Sequence, residues 1–396
     1  MNPFTTPSRI IVTCGKRFPP FLQQELMELG FTPKKILATG IELRGTLTDC
    51  IRLNLNLRCA SQVLYSLKEF SANHPKDVYD TVVSLPWEEI VPGEDGYLSV
   101  TSTVNHITVN NSLFMNVKVK DAIADRIRAQ TGKRPDSGPE LDGTVIHLHW
   151  QEDRAELFID STGETLSKHG YRKLPGQAPM LESLTAATLL ATKWDRKSPF
   201  INPMCGSGTI AIEAALLATN RRPGLLRNTY AFMHVKGYER ALYDKERQRL
   251  MDNVKEVPGL VIVATDLSEE AVRLAKINAT AAGVGDLIRF GVGDFETTPL
   301  PEPPGVIYFN PEYGERLGQF TELEATYARM GDFLKKQCKG YMGYIFTGNL
   351  DLAKKVGLKA SRRLEFYTGK IDCRLLEYEM YAGTRREVPT PPGVSE

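Results

Sequence analysis

The sequence predicts an α/β protein: an α+β N-terminal region, then a mostly parallel sheet with an antiparallel edge hairpin. Three observations carry this. From about residue 198, short apolar runs alternate with helix-like segments, the signature of a parallel doubly wound sheet. The last two runs, RRLEFYTG (362–369) and DCRLLEYEMYAG (372–383), follow one another with no helix between them, which suggests an edge hairpin. Before residue 165, alternating strands mix with amphipathic helices in two smaller groups.

The elements follow in order. RIIVTC (9–14) reads as a strand, PPFLQQELMELG (19–30) as a helix stopped by Gly30, and 34–45 as a hairpin. Residues 48–70 give a helix and a strand. YLSVTSTV (97–104) is strand-like, and 116–132 is a helix stopped by Gly132. TVIHLHWQEDRAELFID (144–160) is two strands joined by the polar turn QEDR. His147 and His149 lie two apart in the first of these, but no third ligand is near in sequence, so they read as ordinary strand residues. KHGYRKLPGQAPM (168–180) is a Gly-, Pro- and base-rich connection, followed by a helix at 181–192. Strands are then expected at 198–204, 259–266, 287–292, 305–310 and 340–348.

Composition narrows the function classes. With 42% hydrophobic and 24% charged residues, the 396-residue chain has a soluble globular profile. No apolar run reaches membrane-helix length, and the start lacks a secretory layout. Six scattered cysteines without C-x-x-C argue against a disulfide scaffold or zinc site and suit a reducing cytoplasm. The net charge of +1 does not itself advertise nucleic-acid binding. Residues 1–165 hold 17 Lys and Arg against 21 Asp and Glu, a net of −4, which leaves +5 for residues 166–396. Any nucleic-acid surface must therefore be local. Candidate patches are 126–134 (Arg126, Arg128, Lys133, Arg134), 167–173 (Lys168, Tyr171, Arg172) and 220–227 (Arg221, Arg222). Each alone reads equally as a solvated face, and Gly-Tyr-Arg equally as domain packing.

The chemistry sits at strand ends. NPMCGSGTIAIEAALLA (202–218) is a strand, a glycine turn and a helix. Gly206 and Gly208 permit close backbone approach to a ligand at a helix N-terminus. No Lys-Ser/Thr follows, so it is not a phosphate loop, and Ala211 stands where a dinucleotide motif would place its third glycine. Cys205 packs behind the turn rather than acting as a nucleophile. Asp266 ends the second strand, placed to accept from ribose hydroxyls, or else to cap the next helix unless Ser268 does so. Asp294, in GVGDF (291–295), could read an adenine amine or serve a turn. Asn310 and Pro311 end the fourth strand. Four such features at consecutive carboxyl ends, where open parallel sheets bind ligands, outweigh any one alone.

NPMCGSGTIAIEAA, ATDLSEEAV…INA, GVGDF and NPEYGERLG resemble the motifs of class I, S-adenosylmethionine-dependent RNA methyltransferases. In particular they resemble the THUMP-domain guanosine-N2 methyltransferases acting on ribosomal or transfer RNA. IDSTGETLSKHGYR (159–172) resembles the passage leading into their catalytic domain, and RLNLNLRCASQVL (52–64) is a similar patch in the N-terminal half. The resemblance implies a Rossmann-like class I methyltransferase domain preceded by a THUMP-containing RNA-binding region. It implies a ferredoxin-like unit at 1–60, a THUMP-like domain at 61–165, a linker and lead-in helix at 166–195, the methyltransferase domain at 196–385 and a disordered tail at 386–396. S-adenosylmethionine is the implied cofactor and RNA the implied partner, with no metal and no membrane. Asn202, Pro203, Cys205, Gly206 and Gly208 would line the methionine end of the cofactor, Asp266 the ribose and Asp294 the adenine. Glu182 would help close the pocket, though a helix N-terminal carboxylate is the plainer account. The family usually has Asp at Asn202.

A nucleobase amine is a poor nucleophile because its lone pair is delocalised into the ring. The Asn310 side-chain oxygen and the Pro311 carbonyl can accept its two N–H groups, and Tyr313 can stack on a flipped base. Positioning and electrostatics then suffice for in-line methyl transfer. Position 312 usually holds a second proline, which would keep residue 311 extended. Glu312 removes that restraint. It could contact a guanine edge, impair the loop or point to solvent. Arg316 could hold phosphate or tie down the loop. The leading expectation is guanosine-N2 methylation. Adenine-N6 methylation uses the same loop, and a degenerate RNA-binding protein is the non-enzymatic alternative. The missing third glycine disfavours a nicotinamide-dependent oxidoreductase.

Overall fold

The computed structural model describes residues 2–381 apart from 94–95, 110, 175–178 and 314–319. Arg316 and the expected disordered tail lie outside the described residues. The chain forms two compact units, one of Met1–Lys173, Met180–Leu190 and Leu216–Glu256, the other of Leu174–Pro179, Ala191–Ala215 and Val257–Glu396.

The first unit is built on β1 (Ser8–Cys14), α1 (Pro19–Glu28), β2 (Lys35–Leu37), β3 (Gly40–Gly45), α2 (Leu47–Asn56), β4 (Ala60–Ser71), α3 (Pro75–Val83), β5 (Tyr97–Asn105), α4 (Ser112–Thr131), β6 (Asp136–Ser137), β7 (Thr144–Gln151) and β8 (Arg154–Asp160). Its eight strands form one sheet in the order β2-β3-β1-β4-β8-β7-β5-β6. The twelve-residue β4 pairs antiparallel with β1 on one side and β8 on the other, so the sheet runs unbroken through residue 60. Local chemistry sets the helix starts. Thr46 and Asp49 form a reciprocal capping box on α2. Asn111 accepts from the Leu113 amide, so α4 begins four residues before its apolar pattern suggests. The sequence reading missed α3, whose signal is Pro75 at its start and Asp77 accepting the His74 amide. His147 is buried on β7 against the Thr101 hydroxyl at 2.8 Å.

The second unit holds β9 (Phe200–Pro203), β10 (Ile262–Asp266), α8 (Glu269–Ala281), β11 (Ile288–Val292), β12 (Gly305–Phe309), α9 (Phe320–Gln337), β13 (Tyr341–Thr347), α10 (Leu350–Lys355), β14 (Arg362–Thr368) and β15 (Ile371–Glu379). The remaining helices are α5 (Glu182–Ala191), α6 (Thr209–Ala218) and α7 (Arg240–Asp252). The sheet order is β11-β10-β9-β12-β13-β15-β14. The first five strands are parallel; β15 runs antiparallel beside β13, with β14 at the edge. The expected architecture, mostly parallel with an antiparallel edge hairpin, is what the structure shows. Phe295, Phe309 and Phe333 meet edge to face inside this unit, with centroids 5.8–6.2 Å apart.

One segment departs from simple alternation. Residues 216–256, from the end of α6 to just before β10, pack in the first unit. Asn56 on α2 donates to Glu246 on α7 at 2.6 Å, and Arg249 donates back to Asn56. Those polar partners lie nearly two hundred residues apart, which no local pattern reports. Among the described residues, no helix is long and apolar enough to cross a membrane.

Candidate active site

Sheet order reverses between β9 and β12, and at such a switch point the carboxyl ends of the strands leave a crevice for ligands. Every feature read at the strand ends falls on this edge of the second unit. After β9 the backbone turns through Met204 at φ +60°, Gly206 at +53° and Gly208 at +85°, and α6 begins at Thr209. A Cβ at Gly208 would lie 2.8 Å from the Ala275 Cβ, so only glycine lets α8 approach there. A Cβ at Gly206 would meet nothing within 4 Å. The turn is held by Asp266, whose Oδ2 accepts the Gly206 amide at 2.9 Å. Its Oδ1 accepts the Ser268 amide at 2.9 Å. Ser268, not Asp266, caps α8, accepting the Ala271 amide through its hydroxyl. Asn278 on α8 donates to the Ser207 carbonyl at 3.2 Å.

Asn202 and Pro203 are buried at the end of β9. The Asn202 amide donates to the Tyr308 carbonyl of β12 at 2.9 Å, while its Oδ1 is a buried acceptor with no partner among the described residues. Cys205 is buried, and burial with the nearby Asp266 charge pushes its thiol ionisation far up, which suits packing rather than nucleophilic attack. Asp294 accepts the Glu296 amide at 2.9 Å and Arg329 at 2.8 Å. Burial works to raise its pKa, but these hydrogen bonds, Arg329 foremost, hold it below the usual range.

At the end of β12, the Asn310 Oδ1 is likewise buried without a partner among the described residues. Pro311 is buried, the Glu312 side chain is exposed, and Tyr313 is half-buried with its ring against Gly348. The Glu312 carbonyl accepts the Tyr327 hydroxyl at 3.4 Å, and the Tyr313 carbonyl accepts the Asn349 amide at 3.3 Å. Sequence reasoning did not single out Arg329, Tyr327 or Asn349, because their partners are set by tertiary packing and they carry no local motif.

The structure places the basic patches as follows. Tyr171 is buried, 2% exposed, and its ring belongs to the interior. Arg172 pairs with Glu182 at 3.1 Å in a nearly dry setting and donates to the Met180 carbonyl at 2.7 Å. That ion pair gives Glu182 a structural role inside the first unit. Arg222 lies 3.7 Å from buried Glu25, and the Arg221 Nε is buried. Arg126 makes a two-pronged bond to Glu88, Arg134 pairs with Asp121, and Lys168 with Glu164. Arg128 is exposed in the last turn of α4, and Lys133 is exposed two residues past its end. Most of these basic residues face acids of their own unit, a pairing that counting local charges does not show.

Counted from β9, the second sheet has the order 3-2-1-4-5-7-6, with a glycine turn after the first strand and acceptors at the next three strand ends. That arrangement is the fold of a class I methyltransferase, a class that uses S-adenosylmethionine. Residues 169–377, more than half of the chain, match the RMKL-like methyltransferase domain; residues 9–64 match the RlmL ferredoxin-like domain and 72–160 the THUMP domain. The chain belongs to this RMKL-like methyltransferase family. Ribosomal RNA large subunit methyltransferase K/L of Syntrophotalea carbinolica is 35% identical over 386 residues, covering 94% of this chain and 54% of its own length. The chain thus spans about half the length of such curated relatives. The crystal structure of SMU.472 complexed with SAH (S-adenosylhomocysteine) has a TM-score of 0.86 at 26% identity, covering 96% of this chain and 100% of that one. A Listeria monocytogenes structure titled "predicted N6-adenine-specific DNA methylase" has a TM-score of 0.84 at 28% identity, covering 95% and 97%.

The residues present fit the cofactor. The open space beside Gly206 leaves room for a ligand against the turn. The orphaned Asn202 oxygen is a buried acceptor of the kind an ammonium donor satisfies. Asp266 keeps further lone pairs on both oxygens after its two backbone bonds.

Proposed function

We propose that this chain methylates the exocyclic N2 of a guanosine in structured RNA, with ribosomal RNA as the favoured substrate. The observation that carries the reading is the Asn310 oxygen at the end of β12, beside Pro311, buried and without a partner among the described residues. A desolvated acceptor without a donor is costly, and such a group marks a place where a donor is expected to bind. An exocyclic amine supplies two N–H donors. With one accepted by Asn310 and the other by the Pro311 carbonyl, the nitrogen lone pair leaves ring conjugation and becomes nucleophilic. Half-buried Tyr313, two residues after Pro311, carries the aromatic ring we assign to stacking on the base. Bound S-adenosylmethionine would supply the electrophilic methyl. Asn202, Gly206, Asp266 and Asp294 would hold it, and Arg329 would keep Asp294 ionised for the adenine amine. Guanosine, rather than adenine, is supported by the motif resemblance, and ribosomal RNA by the names of the K/L relatives. Arg128, exposed on the THUMP-matching segment, is the cation we assign to RNA.

The test is transfer of a labelled methyl from S-adenosylmethionine to unmodified large-subunit ribosomal RNA and transfer RNA, followed by nucleoside analysis. N2-methylguanosine made by wild type, with Asn310→Ala slower by about 10²–10³-fold at unchanged cofactor affinity, is the expected result. Labelled N6-methyladenosine would replace the guanosine reading. Transfer unaffected by Asn310→Ala would refute the role given to the loop.

A further inference from the structure

We propose that Tyr327 and Asn349 are positioning residues that aim the Asn310–Pro311 acceptor pair, supplying from outside the loop the restraint that Glu312 fails to supply from within it. The proposal rests on the methyl-transfer reading above. A proline at position 312 would confine residue 311 to extended backbone by local sterics alone. With Glu312 that constraint is gone, yet the next two carbonyls are both held. Tyr327 Oη lies 3.4 Å from the Glu312 carbonyl, and Asn349 Nδ2 lies 3.3 Å from the Tyr313 carbonyl.

Both donors are fixed by rigid parts of the fold. Tyr327 on α9 is fully buried in the cluster with Met330, Phe333, Ile345 and Leu352. A phenol has one proton to give, and Thr347 stands 2.8 Å from the same oxygen. The Thr347 hydroxyl accepts the Asn349 backbone amide at 3.1 Å, and of the two acceptors its own proton can reach, Tyr327 Oη at 2.8 Å is far nearer than the Asn349 carbonyl at 3.5 Å, which leaves the Tyr327 proton for Glu312. Burial raises the Tyr327 pKa far above the ordinary value, so it stays a neutral donor. The Asn349 oxygen caps α10 by accepting the Asp351 and Leu352 amides at 3.1 and 3.0 Å, which locks its side chain and directs the Nδ2 at the loop. Because the Glu312 side chain is exposed, the substitution buries no charge, and both acceptors of the loop are retained.

The test is a double-mutant cycle with Tyr327→Phe and Glu312→Pro, read on kcat, on KM for S-adenosylmethionine and on melting temperature. The ring is kept in Tyr327→Phe, and calorimetric cofactor binding confirms a folded site. In the wild-type background, with Glu312 in place, loss of the hydroxyl should lower kcat about fivefold with KM unchanged. In the Glu312→Pro background, the same change should cost less than twofold, because the proline restores the restraint. Tyr327→Phe should likewise lower the melting temperature more in wild type than in Glu312→Pro. Equal effects in both backgrounds, or no effect in wild type, would overturn the proposal. If neither wild type nor Glu312→Pro transfers methyl, the functional reading fails by itself, and the coupling in melting temperature still decides whether Tyr327 restrains residue 312.

Discussion

Alanine at Gly206 and at Gly208 separates two demands that the turn after β9 places on the same residue type. At Gly208 the added methyl would sit 2.8 Å from the Ala275 Cβ and 3.1 Å from its Cα, well inside the roughly 3.5–4.0 Å at which carbons attract. The residue also has φ +85°, where an L-residue costs about 1–2 kcal/mol. Overpacking of a backbone-backed contact adds about 1–3 kcal/mol. Gly208→Ala should therefore destabilise the fold by about 3 kcal/mol. At Gly206 the methyl meets no atom within 4 Å, and φ is +53°, so only the left-handed cost of about 1 kcal/mol applies. That methyl instead occupies the open space assigned to the cofactor. Gly206→Ala should stay folded and bind S-adenosylhomocysteine at least tenfold more weakly, about 1.4 kcal/mol. Denaturant unfolding and calorimetric titration of both variants give the two numbers. Gly206→Ala binding as tightly as wild type would refute the placement of the cofactor, and a Gly208→Ala variant as stable as wild type would refute the packing argument.

Two further outcomes are expected. Arg172→Ala removes one half of a buried pair and leaves Glu182 uncompensated, so thermal unfolding should show a loss of about 3–5 kcal/mol, largely recovered by adding Glu182→Gln. His147 has its pKa lowered to about 4 because burial disfavours its cation, with His149 adding a smaller effect. Its folded pKa lies below the ordinary value of 6.5, so the unfolded chain binds the proton more tightly between those two values. The stability it contributes is complete above about pH 6.5 and is lost as pH falls to about 4, a change of about 3 kcal/mol. Unfolding measured at several pH values should show that slope in wild type and a flatter one in His147→Gln.

The fold was legible where the signal is local. Apolar runs with helices between them located the parallel strands, and RRLEFYTG directly followed by DCRLLEYEMYAG located the antiparallel edge. What stayed hidden depends on distant partners. The long β4 joins two N-terminal groups that read as separate, because its second edge pairs with β8, some ninety residues on. Residues 216–256 begin within α6 but pack in the first unit, through Asn56 and Glu246. The acidic partners of the basic patches were hidden for the same reason. Arg172 and Arg222 look like surface cations in a base-rich string, yet Glu182 and Glu25 draw them inward.

Within the candidate site, the same division follows a physical rule. The motif residues are acceptors at strand ends, and strand ends are fixed by patterns a sequence displays. An acceptor alone does not define a direction, however. Each is aimed by a donor from elsewhere: Asp266 by the Gly206 and Ser268 amides, Asp294 by Arg329, and the backbone after Pro311 by Tyr327 and Asn349. These donors need only deliver a proton to the right place, and helix, side chain or backbone can each do so. The acceptors are therefore chemically constrained and readable as motifs, while donors such as Arg329, Tyr327 and Asn349 are geometrically constrained and read as ordinary residues. A single change such as Glu312 then looks like decay from the motif alone. With the donors in view, it exchanges a restraint built into the chain for one built by the core.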